Sequence, residues 1–208
     1  MPHARTRQRL IEQATIAFLA DGYGATSLDR IAKAAKVAKK TIYRLIGSKA
    51  QLFVAVVDQA MRAIPADGLR AATDDADPEA ALRAFLTACA ELGLSEAGLR
   101  LHWMILREAP NFPELIPAFR QTMAGFSHGL AGWIAAQNAR GWLRVADPAR
   151  SAAALMTLLL EEVRRDHMLG LRAAPDAAER AAIVDFTLTL FLNGARRPSG
   201  NGPSHEIG

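Results

Sequence analysis

The chain has 208 residues, enough for one large domain or two small ones, and its 50% hydrophobic and 22% charged residues are the balance of a globular protein. A single cysteine, Cys89, excludes an internal disulfide framework and fits a reducing, cytoplasmic setting; no signal-peptide core opens the chain, and no apolar run reaches the roughly 18 residues of a membrane span. Net charge is only +4, but residues 1–64 carry 11 Lys and Arg against 4 Asp and Glu, and the remainder 14 against 17, so a polyanion partner is expected at the N-terminal end.

Helical periodicity dominates, and an all-α fold of nine helices is predicted. The first helix runs from about Thr6 to Ala20, with Leu10, Ile11, Ala14 and Phe18 as its apolar stripe, and Asp21-Gly22 stops it. Thr26 reads as the N-cap of the second helix, with Asp29 reaching back as in a capping box, and Leu28, Ile31 and Ala35 as its buried side. A turn at Lys36-Val37 leads to a short third helix, Ala38 to Leu45. At helical spacing Lys36, Lys39, Lys40, Tyr43 and Arg44 share one face, and Ala38, Thr41, Ile42 and Leu45 share the other. All five lysines of the chain lie between Thr26 and Lys49. Ser48 caps a fourth helix, about Lys49 to Ile64.

The segment Pro65 to Asp77 is the clearest linker, so residues 1–64 are expected to form one domain, with a helix-turn-helix at about 27–46, and 65–194 a second. Asp77-Pro78 and Asp147-Pro148 each read as a cap followed by a first-turn proline, opening the fifth and eighth helices. The sixth spans about Ser95 to Glu108, the seventh Glu114 to Asn138, and the ninth ends at Asn193-Gly194. The tail 195–208, rich in Gly, Pro and Ser, is expected to be disordered. The eighth and ninth helices carry more apolar surface than one buried stripe needs. A symmetric four-helix bundle between two subunits, using Leu155, Leu159, Val163, Val184, Leu188 and Phe191, would cover the surplus, and so would a central place within one subunit.

The N-terminal residues Leu10, Ile11, Ala14, Phe18, Gly22-Tyr23, Thr26-Ser27, Ile31-Ala32, Ala35, Val37, Thr41 to Arg44 and Ser48-Lys49 closely resemble the tetracycline-repressor (TetR) type of bacterial transcription regulators. The match covers somewhat under a third of the chain; the remainder resembles that family only loosely. Two positions depart from the pattern: Lys36 replaces a usual glycine, and Ala38 a usual Ser or Thr cap. The usual aromatic pair after Arg44 is Leu45-Ile46 here. The resemblance implies a homodimer that reads an inverted repeat in double-stranded DNA, with half-sites one helical turn or a multiple apart. Residues in the N-terminal half of the second motif helix reach base edges, which nominates Lys39, Lys40 and, pointing partly inward, Thr41. Tyr43, Arg44 and Lys49, with Thr26 and Ser27, correspond to the family's phosphate clamp, and Lys36 adds a charge beside the groove.

For the second domain the resemblance implies a pocket for a small-molecule effector, apolar or aromatic. Phe85, Trp103, Met104, Phe119, Met123 and Phe126 are its candidate walls, with Arg107, His102, His128 or Glu91 as polar handles; plain core packing is the commoner role for each wall residue, and a surface or hydrogen-bonded place for each polar one. A dimer that binds DNA without sensing a small molecule, its second domain serving only dimerisation or a protein partner, is the alternative. No zinc-ligand spacing, glycine-rich phosphate loop or nucleophile elbow is present, so neither an enzyme nor a cofactor is expected. Cys89, on an apolar face, is expected in the core. The third helix is too short to bind membranes as an amphipathic anchor.

Overall fold

The computed structural model describes residues 2–62 and 77–196, without the side chains of residues 2, 118, 119 and 121–126. The expected linker after Pro65, the domain boundary at 64–65 and most of the tail therefore lie outside the described residues, as do the side chains of Phe119, Met123 and Phe126. Nine helices are found among the described residues: α1 (Pro2–Asp21), α2 (Leu28–Ala34), α3 (Lys39–Leu45), α4 (Lys49–Met61), α5 (Pro78–Gly93), α6 (Glu96–Glu108), α7 (Leu115–Ala139), α8 (Pro148–Met168) and α9 (Ala177–Ala195). There is no strand among them, only an isolated antiparallel bridge between Leu143 and Arg196. None of these helices is long and apolar enough to cross a membrane.

Local chemistry explains most helix ends. Asp77, Asp147 and Asp176 accept hydrogen bonds from backbone N–H groups in the first turns of α5, α8 and α9, and proline follows the first two directly. Ser48 and Gln51 form a reciprocal capping box at the start of α4. The cap of α2 differs from expectation. Ser27, not Thr26, is the N-cap, its Oγ accepting from the Arg30 N–H at 3.2 Å. The Thr26 hydroxyl is buried and lies 2.8 Å from the Gly22 carbonyl and 3.2 Å from that of Ala17. It serves the carbonyl end of α1, and Asp29 pairs elsewhere.

Two apolar cores organise the molecule. The first joins α1 to α4 through Leu10, Phe18, Ile31, Ile42 and Phe53, and takes in Met104 and Ile105 of α6 and Leu115 of α7. An aromatic cluster fills its centre: Tyr23 lies 5.6 Å from Phe18, 5.7 Å from Phe53 and 5.1 Å from Phe112, centroid to centroid. The end of α6 and the start of α7 are thus the platform on which the N-terminal module sits. The second core joins α5 to α9 around Phe85, Leu86, Trp133, Leu159 and Leu188. Met61, in the last turn of α4, packs against both.

The second core takes in the expected dimer residues. Leu155, Leu159, Val163, Val184 and Leu188 are each at most 4% exposed within a single subunit, and Phe191 packs on the same cluster. The first five are thus turned into their own subunit, while Phe191 is half-buried. The large apolar side chains that α8 and α9 leave exposed are Leu158, Met168, Phe186 and Leu190.

Candidate nucleic-acid interface

The α2–turn–α3 unit is held by backbone geometry that forces its second helix outward. Lys36 has φ +54°, the left-handed conformation that usually calls for glycine. Around it the Val37 N–H donates to Ala32 O at 3.0 Å and the Lys36 N–H to Lys33 O at 3.1 Å. This pair of bonds is a Schellman ending, which reverses the chain into α3. Ala38 then starts α3 without any side-chain cap. Ile42 is fully buried and anchors α3 to the first core. With that residue pointing inward, Lys36, Lys40, Tyr43 and Arg44 all face solvent, and Thr41 is half-buried at the edge. Lys36, Lys40 and Arg44 form no ion pair among the described residues. The result is a cationic, hydroxyl-bearing face on a helix narrow enough for a major groove.

Other candidate contacts are engaged within the protein. Lys39 Nζ lies 2.7 Å from Asp29 Oδ2, tying the start of α3 to α2, and this hydrogen bond holds the ammonium pKa above its ordinary range. Arg30 and Asp21 pair in the same way between α2 and α1. Thr26 is 2% exposed, and its hydroxyl is engaged by α1 and the Gly22 carbonyl. Ser27 is exposed but its oxygen caps α2. Lys49 also departs from the expected clamp. Its Nζ stands 4.5 Å from the centre of the Tyr23 ring and donates to Gly24 O at 3.2 Å. Partial burial lowers its pKa, with Glu108 and Glu114 pulling the other way.

That lysine belongs to a latch between the N-terminal module and the α6–α7 platform. Tyr23 Oη donates to Glu114 Oε1 at 3.3 Å, and burial followed by the Glu114 charge pushes the phenol pKa well up. The Gly24 N–H donates to Glu108 Oε2 at 3.0 Å, and Arg100 donates to Leu19 O at 2.8 Å. The sequence carried no signal for these contacts, which join residues about eighty to ninety positions apart.

A cavity of about 310 Å³ lies where α4, α5, α6 and α8 meet. Its apolar walls include Val57, Met61, Leu101, Ile105, Met156 and Leu160, and its polar groups include His102, Glu161 and Arg164. Of the expected wall residues whose side chains are described, none lines this cavity. Phe85 is in the second core and Met104 in the first, each filling space between helices. Trp103 is 43% exposed and borders, with Arg107, a shallow cleft beside α1, where Arg107 pairs with Glu108. Glu91 and His128 are exposed, away from the cavity; His102 alone among the polar handles lines it. Cys89 is 2% exposed and forms part of the cavity wall, and burial pushes its thiol pKa up.

Comparison with known proteins agrees with this architecture. Residues 10–56 match the family model for bacterial regulatory proteins of the tetR family, and residues 80–194 match that for the AefR-like transcriptional repressor C-terminal domain. No curated protein matches the chain in sequence. Among solved structures it is similar to a putative TetR-family transcriptional regulator from Mesorhizobium loti MAFF303099, at 24% identity and TM-score 0.80, covering 95% of this chain and all of that one. It is similar to the flavonoid-responsive regulator FrrA at 25% identity and TM-score 0.67, covering 94% and 100%. The secondary repressor of the MexAB-OprM multidrug efflux pump in Pseudomonas aeruginosa, NalD, shares 22% identity at TM-score 0.71, covering 96% and 100%. With a helix-turn-helix face on one core, a matching regulator domain on the other and both family models in register, the chain belongs to the TetR family of DNA-binding transcriptional regulators.

Proposed function

We propose that this protein is a cytoplasmic homodimeric repressor that binds an inverted-repeat operator through α3 and releases it when an apolar or aromatic small molecule occupies the cavity beneath α4. The observation that carries the DNA-reading part is the outward face of α3, where Lys40, Tyr43 and Arg44 project while Ile42 is locked in the core. Lys40, in the N-terminal turn, meets base edges; Tyr43, Arg44 and Lys36 meet phosphates. Lys39 joins them by exchanging Asp29 for the DNA. The dimer forms through the exposed apolar side chains Leu158, Phe186 and Leu190 of α8 and α9.

The cavity favours effector sensing over a purely dimerising second domain, because its wall and the DNA-reading module share a helix. Val57, Ala60 and Met61 line the cavity, while Leu52 and Phe53 of the same helix lie in the core that holds α3. An effector that displaces α4 therefore moves α3 relative to the latch at Tyr23. To act as an inducer it must favour the non-binding arrangement by about 1–3 kcal/mol.

Selection of bound genomic fragments by the purified protein would yield the operator, and anisotropy titrations then test the contacts. Lys40→Ala is expected to weaken operator binding by about 1–3 kcal/mol and random DNA by less. An equal loss on both would reduce Lys40 to a phosphate contact. An effector that saturates the protein and leaves operator affinity unchanged would reject the induction step.

A further inference from the structure

The polar corner of the cavity is built around one guanidinium. The Arg164 side chain is 18% exposed, and its only ion pair among the described residues is with Glu161, through Nη1 at 2.9 Å, to a carboxylate that is itself 49% exposed. The Nε is buried and has no hydrogen-bond partner among the described residues. Nη2 lies against Gly93: a Cβ placed there would sit 3.0 Å from it, so the bare glycine leaves room for the guanidinium beside α5. Nη1 is therefore occupied by Glu161, Nε has no partner among the described residues, and the side chain lines the cavity. Around it stand Cys89 and His102, close enough to feel the arginine charge, and burial holds the imidazole pKa below its ordinary range. His102 is then neutral near pH 7 and adds no second cation.

We infer that the cavity binds an apolar monocarboxylate, its carboxylate on the Arg164 guanidinium and its hydrocarbon body against Met61, Leu101 and Met156. This assignment rests on the reading above that the cavity is the effector site. Three observations select the class. A largely buried guanidinium compensated on one side only, by a half-exposed carboxylate, favours an incoming anion over a neutral polar group. A single cation already shared with Glu161 disfavours a dianion such as a phosphate monoester. Apart from His102, Ser127 and Thr157, the rest of the wall is apolar, which suits a hydrocarbon body.

The test uses the full-length protein with hexanoate, octanoate, decanoate, dodecanoate and phenylbutanoate, each beside its primary amide. Binding is read by calorimetry and thermal shift, and DNA release by anisotropy. At least one carboxylate is expected to bind about tenfold or more tightly than its amide, and Arg164→Met to bring the two level. Gly93→Ala, which pushes the guanidinium aside without removing its charge, is expected to weaken the carboxylate and spare the amide; it keeps the test open if Arg164→Met fails to fold. Amides binding as tightly as their acids, an Arg164→Met variant that binds the acids undiminished, or no acid binding at all would each overturn the assignment. Arg164-dependent binding that leaves DNA affinity unchanged would support the carboxylate site and reject the effector reading. Amides that bind and release DNA as well as acids would do the reverse.

Discussion

Lys36 sets a stability term against a DNA-binding term, and the two can be separated by a pair of substitutions. At φ +54° a residue with a Cβ is strained by about 1–2 kcal/mol relative to the right-handed region, whereas glycine is not. Glycine loses about 0.4–1 kcal/mol of that advantage because it frees the unfolded chain. The Schellman bonds of Val37 and Lys36 use backbone atoms only and survive either change. Lys36→Gly should therefore stabilise the free protein by about 0.5–1 kcal/mol, or roughly 1–4 °C in Tm for a chain of this size. Lys36→Ala removes the same charge but keeps the strain, and should gain nothing. Both variants should lower the salt dependence of DNA binding equally, by about 0.9 in the slope of log K against log salt if Lys36 neutralises one phosphate. The assay is thermal unfolding at one fixed protein concentration, because dimer stability depends on it, followed by anisotropy across a salt series. Equal melting temperatures for the Gly and Ala variants would refute the strain argument. An unchanged salt slope would remove Lys36 from the interface.

Three further outcomes are expected. Ala38→Ser should supply the missing N-cap of α3 and raise stability by about 1 kcal/mol, read in the same melting assay; no gain would mean that the first turn is already satisfied by other means. Thr26→Val should cost about 1–3 kcal/mol of stability while leaving the DNA affinity of the folded fraction intact, because its hydroxyl serves α1; a selective loss of DNA binding would restore it to the phosphate clamp. His102, whose folded pKa is depressed by burial and then by Arg164, takes up its proton more readily in the unfolded chain. Its contribution to stability is complete above the ordinary histidine range and is lost as pH falls through the folded value. His102→Gln should therefore flatten the loss of Tm on acidification below about pH 6.5, and a parallel acid limb in both proteins would count against it.

The N-terminal module was legible because each local signal agreed with the next. Breakers stand at Asp21-Gly22 and Gly47-Ser48, the apolar stripes keep helical phase, and the lysines fall together on one side of α3. Which of two adjacent hydroxyls caps α2 was not legible, since Thr26 and Ser27 are both good caps. The choice between them depends on where the α1 carbonyls end, and that is a matter of tertiary packing. Lys49 was misjudged for a related reason. Its position at the start of α4 suits a phosphate, but Tyr23, Glu108 and Glu114 converge on it from two distant stretches of chain.

The second domain hides more, because α9 is apolar over most of its circumference. A stripe on one side predicts its own inward face; a helix greasy on two sides does not say which side meets its own subunit. For α9 that ambiguity exchanges Val184 and Leu188, which are buried, with Phe186 and Leu190, which are not. The large apolar residues of α5 and α6 are ambiguous in the same way, since Phe85, Trp103 and Met104 lie in two cores and at the surface and not at the cavity. The usable signal lay in charge. Along α8, Met156 and Leu160 are followed at the same spacing by Arg164, a cation continuing an inward apolar row. Such a charge must be paired or desolvated at a cost, so the row itself marked the place where the domain keeps a polar corner.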